Sequence, residues 1–318
     1  MIEIPAFSIE CVFGCVPANA VDNLSLLTDL LGAAKADSIV KATGFSTRRI
    51  AAQGQSVFDL ALPAARRALE GVSAEDVGGI VAVTFSNPDR FPALSVRLQN
   101  ALGLPQGIAA FDVGMACSGY PYGLFVAGQL ASATGKKVLL IDGDVQSAHV
   151  DASDPNTLAV MGDGASATLV SAHGGPAKFA FHTDGSGADV LRCGADGKIR
   201  MDGFGVFRFV AGPVTTFLRE FISKVGTPDV FVPHQANMYM VRQLAKTLGL
   251  HDRLATSGEL YANPGSCSVP LTLASSTFGG LVPSRPSRAL VAGFGAGLSA
   301  SAASVELAAD FRRGVEEL

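Results

Sequence analysis

Cys117 lies between a strand-like apolar run and a segment with helical spacing, in FDVGMACSGYPYGL (residues 111–124). The helix has to begin directly after the cysteine, because Pro121 is tolerated only in the first turn. Unpaired N–H groups at a helix N-terminus carry partial positive charge and favour the thiolate, the form that attacks a carbonyl carbon. Cysteine is also a common filler of protein cores, so the position fits either a nucleophile or a buried apolar residue.

Two further side chains, His234 and Asn263, have the chemistry to assist such a nucleophile. His234 follows the strand-like run PDVFVP (228–233) and precedes a helical segment. It fits an ordinary capping or surface role there, or a role as acid, base or hydrogen-bond donor in a cleft. Asn263 opens the turn NPGSCSVP (263–270). Asn-Pro is ordinary turn chemistry, and the alternative is an amide that hydrogen-bonds a ligand.

A glycine-rich loop follows a strand-like run near the C-terminus, in VAGFGAGLS (291–299). Such a loop exposes backbone N–H groups that can hold an anion or an oxyanion. The spacing with lysine that characterises phosphate loops is absent, and Gly-x-Gly turns are common. The loop by itself therefore favours no particular ligand.

The elements that position these residues alternate between strands and helices. Short apolar runs bounded by glycine or proline occur at 78–85, 136–144, 228–233 and 288–295, and segments with helical spacing lie between them. This alternation predicts a layered α/β fold with buried sheets. No linker rich in proline or glycine separates two independent bodies.

The chain also contains a short internal similarity. IDGDV…MGDGASATLVSA in the first half and GFGAGLSASAASVEL near the end both place a Gly-x-Gly turn before an alternating strand of small residues. The similarity predicts a duplicated fold, with a half at 1–170 that carries the cysteine and a half at 171–318 that carries His234 and Asn263. The Gly- and Asp-rich segment 184–206 is predicted to be an inserted loop or cap.

Composition excludes several classes of protein. The chain has 318 residues, 48% of them hydrophobic and 16% charged, which predicts a large core and a surface partly covered by oligomerisation. A net charge of -4 without a basic cluster argues against nucleic-acid binding.

The N-terminus lacks the pattern of a signal peptide and no apolar run is long enough to span a membrane, so we expect a cytoplasmic protein. Five cysteines without a CxxC pair or suitably spaced histidines predict neither a disulfide framework nor a metal site.

Five motifs, taken in order, resemble those of the β-ketoacyl-acyl-carrier-protein synthase III family of thiolase-fold condensing enzymes. They are DVGMACSGYPYGL, GDGASATLV, VPHQAN, NPGSCSVP and GFGAG. The similarity runs nearly end to end and includes ATGFSTRRIA near residue 42 and SNPDRFPALSVRLQNALGL near residue 86. The resemblance implies a duplicated five-layered α-β-α-β-α fold, a homodimer, and a role in fatty-acid or polyketide-type biosynthesis.

The resemblance also implies roles for particular residues. Cys117 would take an acyl group as a thioester, and His234 and Asn263 would hydrogen-bond the carbonyl of a malonyl thioester while carbon dioxide departs. The backbone N–H groups of Cys117 and Ala296 would form the oxyanion hole. No metal or bound cofactor is implied, since the substrates are thioesters of acyl carrier protein or coenzyme A.

The sequence departs from the family where coenzyme A primers are held. Instead of the aromatic and arginine groups that clamp the nucleotide, the matching positions are Ser38, Ala42, Pro155 and Tyr239. We therefore expect the donor to be a carrier-protein-bound acyl group. Arg208 and Lys246 are candidates to contact the carrier protein or its phosphopantetheine arm, and the alternative is that they are solvated surface charges.

Acyl-pocket positions of the family match Phe91, Met161 and Phe207, with Asn237 beside the pantetheine path. Phe91 is expected to reach the pocket of a partner subunit. Bulky side chains at these positions predict a short or branched acyl chain.

Two alternatives to condensation remain open. Relatives with this fold can pass the cysteine-bound acyl group to an alcohol or amine without decarboxylation. A non-catalytic subunit of a heterodimer is disfavoured, because such a subunit is expected to have lost the cysteine.

Overall fold

The computed structural model describes residues 1–275, 287–308 and 311–318. Within these ranges the chain forms the strands β1 Ile2–Ile4, β2 Ser8–Val16, β3 Ala20–Asp22, β4 Thr47–Arg49, β5 Val77–Val83, β6 Ala109–Val113, β7 Lys137–Val145, β8 Asp163–Ser171, β9 Ala177–Thr183, β10 Leu191–Cys193, β11 Ile199–Met201, β12 Val230–Pro233, β13 Ser287–Gly295, β14 Ser299–Leu307 and β15 Arg312–Glu317. The helices are α1 Asn23–Leu31, α2 Ala33–Thr43, α3 Val57–Ala68, α4 Leu94–Ala101, α5 Gly119–Thr134, α6 Pro155–Leu158, α7 Gly203–Phe209, α8 Thr215–Val225, α9 Met238–Thr247, α10 Gly258–Tyr261 and α11 Ser268–Ala274.

Two large mixed sheets organise the fold. One has the strand order β15-β2-β8-β7-β5-β6 and the other has the order β1-β9-β14-β13-β12. The four apolar runs identified in the sequence are β5, β7, β12 and β13, as predicted. They form the parallel pairs β5/β7 and β12/β13, which are buried on both faces and therefore read as continuous apolar runs.

Helices α5 and α11 lie between the two sheets. Alternation along β7 shows the layering, because Val138 and Leu140 pack towards these central helices while Leu139 and Ile141 pack towards α3 and α4 on the outside. Helices α7, α8 and α9 cover the outer face of the other sheet. The predicted five-layered α-β-α-β-α architecture is confirmed. None of the helices within the described ranges has the length and hydropathy of a membrane-crossing segment.

The similar sequence stretches occupy equivalent places in the two sheets. The first includes the end of β7 and all of β8, and the second includes the end of β13 and all of β14; each pair is antiparallel. The sheets also exchange edge strands, because β1 pairs with β9 and β15 pairs with β2. A division into 1–170 and 171–318 does not anticipate this exchange, and as a domain boundary it stays a prediction.

The segment 184–206 is more ordered than the predicted loop. Strands β10 and β11 form an antiparallel hairpin, and α7 begins directly after it at Gly203. Three-residue strands separated by a Gly- and Asp-rich turn are too short to show an alternating pattern in the sequence. The hairpin places Leu191, Ile199 and Met201 over the end of the sheet where Cys117 lies.

Candidate active site

Cys117 lies in the short 3-10 helix Ala116–Ser118, which connects β6 to α5. Helix α5 begins at Gly119 with Pro121 in its first turn, as the sequence predicts. Ala116 has a φ of 43°, in the left-handed region that is uncommon for residues other than glycine. This sharp turn leaves the cysteine 8% exposed at the boundary of two cavities.

Two glycines of the C-terminal loop allow β13 to approach the cysteine closely. A Cβ on Gly293 would lie 2.8 Å from the Ser118 Cα, and a Cβ on Gly295 would lie 2.7 Å from the Cys117 Cβ. Both distances are too short for a real side chain. The Gly-x-Gly pattern is therefore required by packing against the cysteine turn, a reason that the sequence alone did not reveal.

The resting Cys117 is a neutral thiol. Burial raises the pKa of its thiol to about 12, and the nearby Asp144 carboxyl adds to the rise. Burial therefore opposes the thiolate that a helix N-terminus favours, while a backbone hydrogen bond at Cys117 acts in favour of the thiolate. A reaction at this sulfur must therefore remove the thiol proton as the new bond forms.

His234 follows β12 and is 2% exposed, so the surface role is excluded. Its Nδ1 lies 2.7 Å from the Ser268 Oγ, and its ring packs edge-on against Phe294. Burial lowers the pKa of the imidazole to about 3; a hydrogen bond with the Gly265 backbone acts in the opposite direction. The imidazole is therefore neutral across the physiological range.

Asn263 is held by hydrogen bonds that determine the orientation of its amide. The Gly265 N–H donates to Oδ1 at 3.0 Å, which leaves the NH₂ group available to the cavity. Its backbone carbonyl accepts from the Gly162 N–H at 2.9 Å and from Gln146 Nε2 at 2.7 Å. Asn263 is 4% exposed and therefore presents a rigidly placed donor.

Cys117, His234 and Asn263 line one cavity of about 70 Å³. The remaining wall is largely apolar and includes Val160, Met161, Leu191, Met201, Val206 and Phe294. Asn237 also lines this cavity, and its side chain caps α9 by accepting from the Met240 N–H at 2.8 Å; its place beside a pantetheine path stays a prediction. The structure thus brings together the three residues that the sequence analysis placed in one site.

A second cavity of about 130 Å³ adjoins Cys117. Met161 and Ala296 line it, together with residues that the sequence analysis missed, which include Phe85, Gln146, Leu191, Cys193 and Ile199. Three of these missed residues belong to the hairpin. No sequence pattern pointed to them, because the hairpin contacts the site only through the folded chain.

The other predicted residues lie away from these cavities. Phe91 is 86% exposed, and its contact with a partner subunit stays a prediction. Phe207 is 39% exposed and lines a separate depression between α7 and α9, so within this chain it does not border the Cys117 cavity. Arg208 and Lys246 are exposed on α7 and α9.

Asp144 is a buried group near the site that the sequence analysis did not identify. Its carboxyl accepts from the Phe85 N–H at 2.9 Å and from the hydroxyls of Thr84 and Ser266, both at 3.1 Å. Burial raises its pKa to about 6, and these hydrogen bonds limit the rise. Asp144 therefore joins the ends of β5 and β7 to the turn that carries Asn263.

The five layers, with the cysteine turn before one central helix and the asparagine turn before the other, define a thiolase-fold protein. Residues 111–189 match the family described as 3-oxoacyl-[acyl-carrier-protein] synthase III, and residues 223–307 match its C-terminal part. The β-ketoacyl-[acyl-carrier-protein] synthase III of Shewanella oneidensis is 35% identical over 287 residues, which are 84% of this chain and 89% of that protein. The chain belongs to the β-ketoacyl-acyl-carrier-protein synthase III family, which confirms the resemblance.

Solved structures agree with this assignment. A 3-oxoacyl-(acyl-carrier-protein) synthase from Burkholderia xenovorans has a TM-score of 0.94 at 27% identity, with 100% of this chain and 98% of that chain covered. The priming β-ketosynthase of the R1128 polyketide pathway has a TM-score of 0.84 at 29% identity, with 97% and 98% covered. The fold is therefore shared over essentially the whole length of these enzymes.

Proposed function

We propose that this chain is a condensing enzyme that loads an acyl group on Cys117 and joins it to a malonyl thioester with release of carbon dioxide. The observation that carries the proposal is the convergence of Cys117, His234 and the Asn263 amide on one cavity. This set supplies a nucleophilic sulfur that is also a good leaving group once it is acylated, and two neutral donors for developing negative charge.

Loading transfers the acyl group between two sulfur atoms. The Cys117 sulfur attacks the carbonyl carbon of the donor thioester, the carbon–sulfur bond of the donor breaks, and the departing thiol takes the proton. The backbone N–H groups of Cys117 and Ala296 are proposed to hold the oxyanion, which one well-placed donor stabilises by about 3 kcal/mol. The close packing of Gly295 against Cys117 supports this pairing.

Condensation begins when the malonyl carboxylate leaves as carbon dioxide and its bonding electrons form an enolate. His234 and the Asn263 NH₂ group are proposed to hydrogen-bond the enolate oxygen. The enolate carbon attacks the carbonyl carbon of the Cys117 thioester, the carbon–sulfur bond breaks, and the departing cysteine sulfur takes up a proton from water. A neutral imidazole suits this step, because an imidazolium could protonate the carbanion before it attacks.

The size of the second cavity supports a short acyl chain. An apolar cavity of about 150 Å³ admits a molecule of the size of benzene. The cavity of about 130 Å³ beside Cys117 is similar, and Phe85, Met161 and Ile199 give it an apolar wall. An acyl group of up to about six carbons is the substrate class that fits this space.

An acyl carrier protein is the proposed donor and malonyl carrier. Arg208 and Lys246 are exposed on α7 and α9, the same helices that line the Cys117 cavity through Val206 and Met240. Exposed cations on these helices suit an acidic partner. The reaction uses thioester substrates and needs no resident cofactor or metal.

A homodimer is proposed at the edge of the six-stranded sheet. Strand β6 is one of the two edge strands of this sheet, and exposed apolar side chains lie on or beside it: Phe91, Val96 and Phe111 are 86%, 43% and 39% exposed. An uncovered edge with apolar neighbours is a ready surface for pairing with a second copy. The cytoplasmic location stays a prediction.

Intact-protein and peptide mass spectrometry tests the loading step. The protein is incubated with acyl-carrier protein and, separately, with the matching acyl-coenzyme A, and Cys117→Ala is the control. We expect an acyl mass on the Cys117 peptide, formed faster from the carrier protein and absent in the variant. No acylation from either donor would refute the proposed function, and faster loading from coenzyme A would refute the donor assignment.

A further inference from the structure

We propose that Ser268 is a positioning residue that fixes the tautomer of His234 by donating its hydroxyl proton to Nδ1. The imidazole proton then resides on Nε2 and points to the cavity. This inference rests on the proposed role of His234 in condensation, and it names the group that makes the ring a donor.

The geometry around Ser268 assigns the direction of this hydrogen bond. Ser268 is the first residue of α11 and is fully buried. Its Oγ lies 2.7 Å from His234 Nδ1 and accepts the Gln235 N–H at 3.3 Å. A backbone N–H can only donate, so it occupies a lone pair of the hydroxyl. The other polar contact of this Oγ in the described part of the chain is His234 Nδ1, and we assign the single hydroxyl proton to it.

The first half of the fold has glycine at the place of Ser268. Gly119 is the first residue of α5 with Pro121 two residues later, and Ser268 is the first residue of α11 with Pro270 two residues later. A hydroxyl is therefore not required to begin a central helix at this place. The Ser268 hydroxyl instead reaches the side chain of His234, which lies 34 residues away in the chain.

The tautomer of His234 determines whether the ring attracts or repels negative charge on an enolate oxygen in the cavity. With a proton on Nε2, His234 and the Asn263 NH₂ group present two donors to the same space. With the proton on Nδ1, the ring would present a lone pair to an enolate oxygen and would repel it. A neutral histidine can adopt either form, and the bond to the other nitrogen decides between them.

Nitrogen NMR of the intact protein tests the proposal without relying on activity. Protein labelled with ¹⁵N-histidine contains five histidines, and the spectrum of His234→Gln assigns the signals of His234. We expect the wild type to show the proton on Nε2, Ser268→Ala to show a mixture of tautomers, and Ser268→Thr to restore the wild-type form. A wild-type protein with the proton on Nδ1 would overturn the proposal, and this measurement needs no variant of Ser268 that folds.

Kinetics give a second readout with a matched control. Ser275→Ala removes another buried hydroxyl of the same region, one that donates to the Thr272 carbonyl. We expect Ser268→Ala to lower the rate of carbon dioxide release from malonyl-carrier protein at least about tenfold, since a wrong histidine tautomer can lower kcat by up to about 10⁴-fold in other enzymes. Acylation of Cys117 and the rates of Ser275→Ala should stay near wild type.

The outcomes separate this proposal from the proposed function. An unchanged tautomer and rate in Ser268→Ala would refute the positioning role. Normal carbon dioxide release in His234→Gln would refute the function of the imidazole, whatever its tautomer.

Discussion

The backbone of Gly295 lies against the side chain of Cys117, and a Cβ at this position would come within 2.7 Å of the Cys117 Cβ. The end of β13 and the cysteine turn therefore form one packed unit, although they are far apart in the sequence. The proposed oxyanion hole depends on this contact, since Ala296 follows Gly295 directly and lines the same cavity as Cys117.

We expect Gly295→Ala to slow acylation of Cys117 by about 100-fold, the scale of losing an oxyanion-hole donor. The added methyl group must displace the cysteine turn or the loop, and overpacking costs about 1–3 kcal/mol of stability. Acylation is followed by mass spectrometry and stability by denaturant unfolding. Gly107→Ala is the control, since a Cβ there meets no atom within 4 Å. Equal loading rates in the two variants would contradict the packing argument.

Asn263→Asp should separate loading from condensation. The aspartate keeps an oxygen for the Gly265 N–H but replaces the NH₂ donor with a second acceptor. We expect carbon dioxide release to fall by about 100- to 1000-fold while Cys117 is still acylated. The two steps are measured on the same sample, by trapped carbon dioxide and by peptide mass. Release at the wild-type rate would show that the amide is not a donor to the enolate.

The raised pKa of the Asp144 carboxyl makes the free energy of unfolding depend on pH. Its pKa is raised to about 6 in the folded protein by burial, above the ordinary value near 3.9. Between about pH 4 and pH 6 the folded state therefore binds more protons than the unfolded chain, and the free energy of unfolding falls as the pH rises. Above this window the full destabilisation is present, of order 2–3 kcal/mol.

Asp144→Asn should remove this contribution and flatten the dependence between about pH 4 and pH 6. Asp142 and Asp163, whose pKa values burial also raises, act in the same direction, and His234 acts in the opposite one. The test is therefore the difference between variant and wild type in denaturant unfolding at each pH. A constant difference across the window would mean that the carboxyl does not titrate there.

Phe85→Ala should enlarge the cavity beside Cys117 and shift the preferred acyl chain to greater length. Phe207→Ala is the matched control, because Phe207 lines a separate depression. Competition between acyl-carrier proteins of different chain length measures the preference by the mass added to Cys117. If the preferred chain length changed in Phe207→Ala and not in Phe85→Ala, the acyl pocket would be the one at Phe207 that the sequence predicts. The cavity beside Phe85 would then not hold the acyl chain.

Local signals predicted the elements that carry the site. Pro121 required a helix start near Cys117, and the apolar run before His234 required a strand that ends there. Both predictions are confirmed. The role of Asn263 came from the ordered family motifs, because its local pattern is that of an ordinary turn.

Properties that depend on contacts between distant segments could not be predicted. The rise of the Cys117 pKa could not be predicted, because the burial that causes it arises only when the β13 loop packs against the cysteine turn. The wall formed by Phe85, Leu191 and Ile199 combines residues from widely separated segments, and no periodicity relates them. In the sequence Asp144 is an ordinary residue at the end of a strand-like run. Its hydrogen bond with Ser266, in the turn that carries Asn263, is visible only in the folded chain.

The acyl group on Cys117 is proposed to leave by decarboxylative condensation. The most direct measurement adds malonyl-carrier protein to purified, acylated enzyme and counts the carbon dioxide released for each acyl group lost from Cys117. We expect one carbon dioxide and one 3-oxoacyl thioester per acyl group. Loss of the acyl group to an alcohol or amine acceptor without carbon dioxide would contradict it and would identify the chain as an acyltransferase of the same fold.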